Sequence, residues 1–329
     1  MNMEKMKKKP HSITAGILLV TVLLPLVITD DYVLRILIMS GIFVMLTLSL
    51  NLVTGFTGQF CLGWAAFYGI GAYTSALLTM KAGLSFWLAM PLGGLMAALF
   101  GLLLGLPTMR LKEIYLAITT LGFGEIIRLI MLNWTDLTRG SMGLPGIPAP
   151  SILSYEISSN QAYYYFILAL VLITVAAMRR LIDSRTGRAL IAIREDELAA
   201  KSMGIDVTAY KMLAFAVGAF FAGLAGSFYA HYTSFIDPHT FSFTESIAIL
   251  AMAVLGGLGS INGSILGAVI LTVVPELLRG IAEYRLIVFG LIMMAVMLLR
   301  PQGIFGKARE NSTSRAKARG RGGVRIGSA

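Results

Sequence analysis

The sequence predicts an all-α polytopic membrane protein, with eight full transmembrane helices plus a broken helix pair or re-entrant hairpin, and both termini cytoplasmic. Composition, a recurrence of long uncharged runs and the placement of the basic residues carry that prediction. Of 329 residues, 57% are hydrophobic and only 13% charged, with a mean hydropathy of +0.79. Such a chain has too little polar surface for an ordinary soluble domain. The formal charge of +10 comes from 27 Lys and Arg against 17 Asp and Glu. An excess of that size also suits a nucleic-acid partner, but here the basic residues gather between apolar runs, and no nucleic acid is expected.

A hydrocarbon layer of ~30 Å takes about 20 helical residues to cross. Uncharged or nearly uncharged runs of that order lie at Ser12–Thr29, Val33–Val53, Phe60–Met80, Phe86–Leu106, Ile114–Asn133, Gln161–Met178 and Tyr210–His231. An eighth stretch, Ser246–Pro275, is interrupted by the glycine-rich segment 255–264, and a ninth runs from Arg285 to Arg300. Basic residues of short loops stay on the cytoplasmic side. That rule places Lys5, Lys7, Lys8 and Lys9 inside, Asp30 and Asp31 outside, Arg110 and Lys112 inside, and Trp134–Asn160 outside. Segment Arg179–Ala209, with six Lys and Arg, returns inside.

Parity then decides the eighth stretch. As one tilted helix it would send the tail, with eight Lys and Arg from Arg300 onward, to the outside. A break near Gly256, Gly257, Gly259 and Gly263 returns that tail to the cytoplasm. Irregular backbone at membrane depth is tolerated only under cover of protein or a water-filled cavity. Gly55–Gln59, between two spans, is a second such candidate. The remaining intramembrane glycines, such as Gly69, Gly71, Gly223 and Gly226, suit close helix packing. Three regions follow: a basic cytoplasmic N-terminus over 1–11, a transmembrane domain over 12–305 with its cytoplasmic loop at 179–209, and a basic, disordered cytoplasmic tail over 306–329. The first run also matches a signal peptide in layout, but no small-residue cleavage pattern follows Thr29, so an anchor helix is expected. The Arg/Gly/Ser-rich tail is expected to be solvated or to touch anionic lipid, ahead of any binding to RNA.

Enzymatic chemistry finds little footing. The sole cysteine, Cys61, lies in an apolar stretch, and His11, His231 and His239 are not at metal-ligand spacing. No zinc-protease motif, nucleophile elbow or phosphate-binding loop is present. No catalytic residue, metal or cofactor is therefore expected in this chain, and ATP, if it drives the protein, must bind elsewhere.

Two polar features stand out. Glu125 and Arg128 are three apart, hence on one helix face, with Thr119, Thr120, Gly122 and Gly124 beside them. An ion pair that fixes the helix and a lining for a substrate path are both open readings. The loop Arg179–Ala209 contains, at Gly187–Met203, the composition of a short amphipathic helix with Gly204 as its C-terminal cap. Lipid binding is one reading. The acidic run Glu195-Asp196-Glu197 disfavours anionic lipid and points to a partner protein.

At this helix the sequence resembles the permease subunits of ATP-binding-cassette importers, whose coupling loop carries Glu-Ala-Ala-x3-Gly. Ala199-Ala200-Lys201-Ser202-Met203-Gly204 match, although Leu198 stands in place of glutamate, with Glu197 one position earlier. Segment Arg194–Ile205 is closer to the loop of the branched-chain amino acid permease family of LivM type. Leu50–Gln59, Gly69–Tyr73, Leu116–Arg128, Gly140–Leu144, Val254–Ser260 and Arg300–Gly303 resemble that family in order, over roughly residues 35 to 305. The resemblance implies a permease translocating Leu, Ile or Val across the inner membrane, with Arg194, Glu195, Asp196, Glu197, Ala199, Ala200, Gly204 and Ile205 coupling it to an ATPase subunit. Implied partners are a second homologous permease, two cytoplasmic subunits that bind ATP and Mg, an extracytoplasmic binding protein and membrane lipid. Urea or short-amide permeases resemble the same family, and an ion-gradient-driven transporter or a membrane scaffold are alternatives of another class.

Overall fold

The computed structural model describes residues 30–277 apart from 109–110, 112, 153–154 and 158, together with 21–22, 24–25, 290, 294 and 303–305. The expected segments Ser12–Thr29 and Arg285–Arg300 otherwise lie outside the described residues, as do the N-terminus and the tail. Helix α1 spans Asp31–Thr57, α2 Trp64–Lys81, α3 Phe86–Thr108 and α4 Glu113–Asn133. A one-turn helix α5 at Thr135–Thr138 and two small antiparallel strand pairs follow, β1 (Leu144–Pro145) with β4 (Phe235–Ile236) and β2 (Ser151–Ile152) with β3 (Tyr155–Glu156). Helices α6 (Asn160–Asp183), α7 (Arg185–Glu195), α8 (Glu197–Ser202), α9 (Val207–Thr233), α10 (Phe243–Gly256) and α11 (Ile261–Leu277) complete the bundle.

Among these, α1, α3, α4, α6 and α9 are long and apolar enough to cross a membrane. The bundle has two ends. At the one where α1 begins, Asn160 Nδ2 donates to Asp31 Oδ1 at 3.0 Å, Tyr32 Oη to Glu276 Oε1 at 2.7 Å and Lys81 Nζ to the Asp136 carbonyl at 3.1 Å. At the opposite end stand α7 and α8, the C-terminus of α1 and the turn between α10 and α11. These are called below the Asp31 end and the Arg194 end.

Helix α1 opens on Asp30, whose Oδ1 accepts from the Tyr32 amide at 2.9 Å, and closes on Gly58 at φ 75°, a cap conformation that glycine adopts at no steric cost. From there the chain turns back into the bundle. Helix α2 starts only at Trp64, where the indole N–H donates to Ser49 Oγ at 2.8 Å and the Ala65 amide to Ser246 Oγ at 3.0 Å. Ser49 sits about 12 Å inside the end of α1, at 1.5 Å rise per residue. The sequence pattern begins this span at Phe60. The structure begins it four residues later, because apolar character does not separate buried extended chain from helix.

Helix α9 runs through the middle, packed along α1, α2 and α3. Its contacts are backbone to backbone: a methyl on Gly226 would fall 1.9 Å from the Tyr68 carbonyl oxygen, and one on Gly71 would fall 2.2 Å from that of Gly223. Such approach supplies the dispersion contacts that hold helices together where lipid removes the hydrophobic drive. Ser227 Oγ seals the crossing by donating to the Gly71 carbonyl at 3.1 Å.

The eighth apolar stretch is broken in two, as parity requires. At 14 and 17 residues, α10 and α11 are about 21 and 26 Å long, each shorter than a bilayer core. The irregular backbone is narrower than 255–264: Gly256 closes α10, Gly257 and Gly259 take φ 110° and 81°, and Gly263 is already helical in α11. Gly256 and Gly263 serve the packing of the two arms, since a Cβ on Gly256 would lie 2.0 Å from the Gly263 carbonyl oxygen. Gly55 likewise is helical, and the second irregular segment starts at Gly58.

Candidate functional site: a docking hairpin and a glycine joint

The loop 179–209 forms two helices where composition suggested one across Gly187–Met203. Ser184 caps α7, its Oγ accepting from the Gly187 amide at 3.4 Å. Asp196 then breaks the run with extended backbone at φ −157°. Its Oδ1 accepts from the Leu198 and Ala199 amides at 2.9 and 3.0 Å, so the residue ends one helix and caps the next. Helix α8 closes on Gly204 at φ +82°, with the Gly204 amide donating to the Lys201 carbonyl and the Ile205 amide to that of Ala200 at 3.0 and 3.1 Å. This pair of bonds is the Schellman pattern, and Ile205 and Ala200 pack with Ile193 and Val207 beneath it.

The hairpin therefore has an anchored and an exposed side. Leu190, Ile193 and Ala200 are buried, while Glu195, Asp196 and Ala199 face outward. Leu198 and Met203 are 79% and 82% exposed, and no element among the described residues covers them. Glu197 is exposed as well, but its Oε2 accepts from Lys211 Nζ at 2.8 Å. The pair ties α8 to the first turns of α9, within the expected span Tyr210–His231. A spacing of fourteen residues across a turn gave no periodic signal of that contact.

Arg194, at the end of α7, is exposed, but its guanidinium reaches back onto the bundle. Its Nη1 donates to the Gly55 carbonyl in the last turn of α1. A Cβ on Gly58 would lie 3.3 Å from Arg194 Cγ, and one on Gly259 would lie 2.5 Å from Nη1. Beside it Asn51 grips the α10–α11 turn. Oδ1 accepts from the Gly259 amide at 2.9 Å, and Nδ2 donates to the Ser260 carbonyl and to Ser264 Oγ at 3.1 and 2.6 Å. Gly55 is obligatory here, since a Cβ would fall 1.8 Å from Asn51 Oδ1. Residues 304 and 305 close the joint, their amides donating to the Leu255 and Gly256 carbonyls, both at 3.0 Å.

The candidate path residues divide between two faces of α4. Arg128 Nε donates to both Glu125 oxygens at 3.1 and 3.0 Å, and its Nη2 also bonds Oε1. This pair shares the outer face with exposed Thr119 and with Gly122, around which a methyl would meet open space. Thr120 is turned into the bundle, where its hydroxyl accepts from the Leu62 amide at 3.0 Å, and Gly124 lies against Gly63. Thr120 thus holds the irregular segment before α2, and sequence adjacency to Thr119 misplaces it.

Five helices long and apolar enough to cross a membrane, packed with a broken helix pair, make a multi-pass membrane bundle. The chain belongs to the family described as the branched-chain amino acid transport system permease component, whose model matches residues 32–297. It is 41% identical over 294 residues to the high-affinity branched-chain amino acid transport system permease protein LivM of Salmonella typhimurium, covering 82% of this chain and 69% of the relative. The Escherichia coli K12 protein of the same name is 40% identical over the same shares. The permease protein LivH of Salmonella typhimurium is 27% identical, over 82% of this chain and 92% of its own. No solved structure matches.

Proposed function

We propose that this chain is one of two homologous transmembrane subunits of an ATP-binding-cassette importer for leucine, isoleucine and valine in the inner membrane. In this reading the Arg194 end and both termini are cytoplasmic, residues 12–305 form the permease and 306–329 a solvated basic tail. Two separate subunits bind ATP and Mg, and an extracytoplasmic protein delivers the amino acid at the Asp31 end. The exposed hairpin carries the reading: two large apolar side chains, Leu198 and Met203, are held outward on rigidly capped helices at the end where basic residues concentrate. A surface so built serves a partner protein better than water.

The side-chain chemistry of the exposed helix faces supports a path along α4. The outward face of α3 is a plain leucine stripe, Leu88, Leu92, Leu95, Leu99, Leu103 and Leu106, suited to lipid tails. The outward face of α4 is also mostly apolar, with Ile114, Ile118, Ile126 and Ile130 exposed, but it is interrupted by exposed Thr119 and by the half-buried Gly122 and Glu125–Arg128 pair. A charged residue at mid-bilayer costs roughly 2.5–3.5 kcal/mol facing lipid. Such a face belongs against the second permease, where a seam wet enough for a zwitterion relieves that cost.

Reconstitution tests the reading. The chain, co-expressed with its candidate partner subunits, should take radiolabelled leucine into proteoliposomes only with ATP, and Leu198→Glu with Met203→Glu should abolish ATPase co-purification while the permease remains folded. Uptake driven by an ion gradient without ATP would overturn the reading. ATP-driven uptake of urea or a short amide instead of leucine would correct the cargo alone.

A further inference from the structure

Arg194 is the residue at which docking hairpin, long helix and broken helix meet. Its acceptor, the Gly55 carbonyl, lies in the last turn of α1, where carbonyls have no partner within the helix and the helix dipole presents its negative end. The C-terminus of α10 closes at Gly256, just before the turn that carries Gly259. A guanidinium with its long stem suits such a place, since it brings fixed positive charge and several donors past a narrow approach. The narrowness is built in: Gly58 and Gly259 leave room for the side chain, and added methyls would stand 3.3 and 2.5 Å from its atoms.

We propose that Arg194 is a positioning residue that links the docking hairpin to the α10–α11 break, so that a push on the hairpin reaches the broken helix through Asn51 and Gly259 as well as α9 through Glu197 and Lys211. This deepens the importer reading and rests on it. The fold of α7 does not depend on the link, because Leu190 and Ile193 already bury its inner face. A joint that only stabilised the bundle would need no charged side chain reaching from the one element built for docking. Transmission requires a contact whose energy differs between two states, and a single charge-assisted bond to a helix end is a contact that can be made and released.

The test uses the complete complex in proteoliposomes, reading leucine taken up per ATP hydrolysed. In complexes purified with the ATPase bound, Arg194→Ala should lower the leucine taken up per ATP hydrolysed roughly tenfold, within the usual range of coupling between sites. Arg194→Lys, which keeps a donor and the charge, should recover part of the loss. An Arg194→Ala complex with unchanged uptake per ATP overturns the proposal and leaves the importer reading standing. A parent chain that recruits no ATPase overturns both.

Discussion

Asn51 is a single side chain on which a membrane break depends. Its amide accepts once and donates twice, with two bonds to the turn between α10 and α11 and the third to Ser264 in the first turn of α11. Only an amide side chain offers an acceptor together with two donors without charge, and Asn is the shorter of the two. Asn51→Ala leaves the half-buried Gly259 amide and Ser260 carbonyl without it, a cost of about 1 kcal/mol, at the low end for an unsatisfied group. The unfolding midpoint of the purified chain in detergent should fall accordingly, and an unchanged midpoint would mean that the turn holds its shape without the clamp. In the sequence Asn51 is one polar residue in an apolar run, and nothing local distinguishes a clamp from a tolerated exception. Gly259 was legible because it clustered with other glycines; its partner was not, since the contact spans 208 residues. Glu125 and Arg128 were legible as a pair, because helical spacing alone brings them together.

At the scale of elements, apolar runs match the long helices among the described residues but not their ends. Hydropathy averages over a window, whereas the start of α2 is fixed by hydrogen bonds from Trp64 and Ala65 to serines on other helices. The docking loop failed for the opposite reason: its composition is helical throughout, and one local side-chain competition, Asp196 against the backbone ladder, divides it. That division is testable in the isolated chain. Asp196→Ala removes the acceptor of two amides and should weaken α8 by about 1 kcal/mol, as N-cap losses do. Hydrogen exchange at residues 198–203 should quicken about fivefold, by the free-energy relation for that loss, while Asp196→Asn, itself a good cap, should exchange like the parent protein. Equal protection in all three proteins would show that Lys211 and the buried Ala200 hold α8 unaided.

For the whole molecule, the structure places Asp31 and Asn160 at one end and Arg194 at the other, the grouping that charge counting expects. Which end faces the cytoplasm is a matter of Lys and Arg bias rather than of packing, so it calls for a measurement of sidedness. Met142, beyond α4 at the Asp31 end, and Met203, on the docking hairpin, are each 82% exposed. Cys61, the one cysteine of the sequence, is fully buried, so the parent protein gives a quiet background. In intact cells a membrane-impermeant maleimide should label Met142→Cys and spare Met203→Cys, which should react only after permeabilisation. The reverse pattern would place the docking hairpin outside, away from any ATP, and would remove both the coupling role of Arg194–Ile205 and the direction of transport. Labelling of both in intact cells would put the two ends on one side of the membrane, which helices of this length, joined as they are, do not permit. The experiment therefore tests the bundle and its orientation with one pair of substitutions, neither of which touches the core.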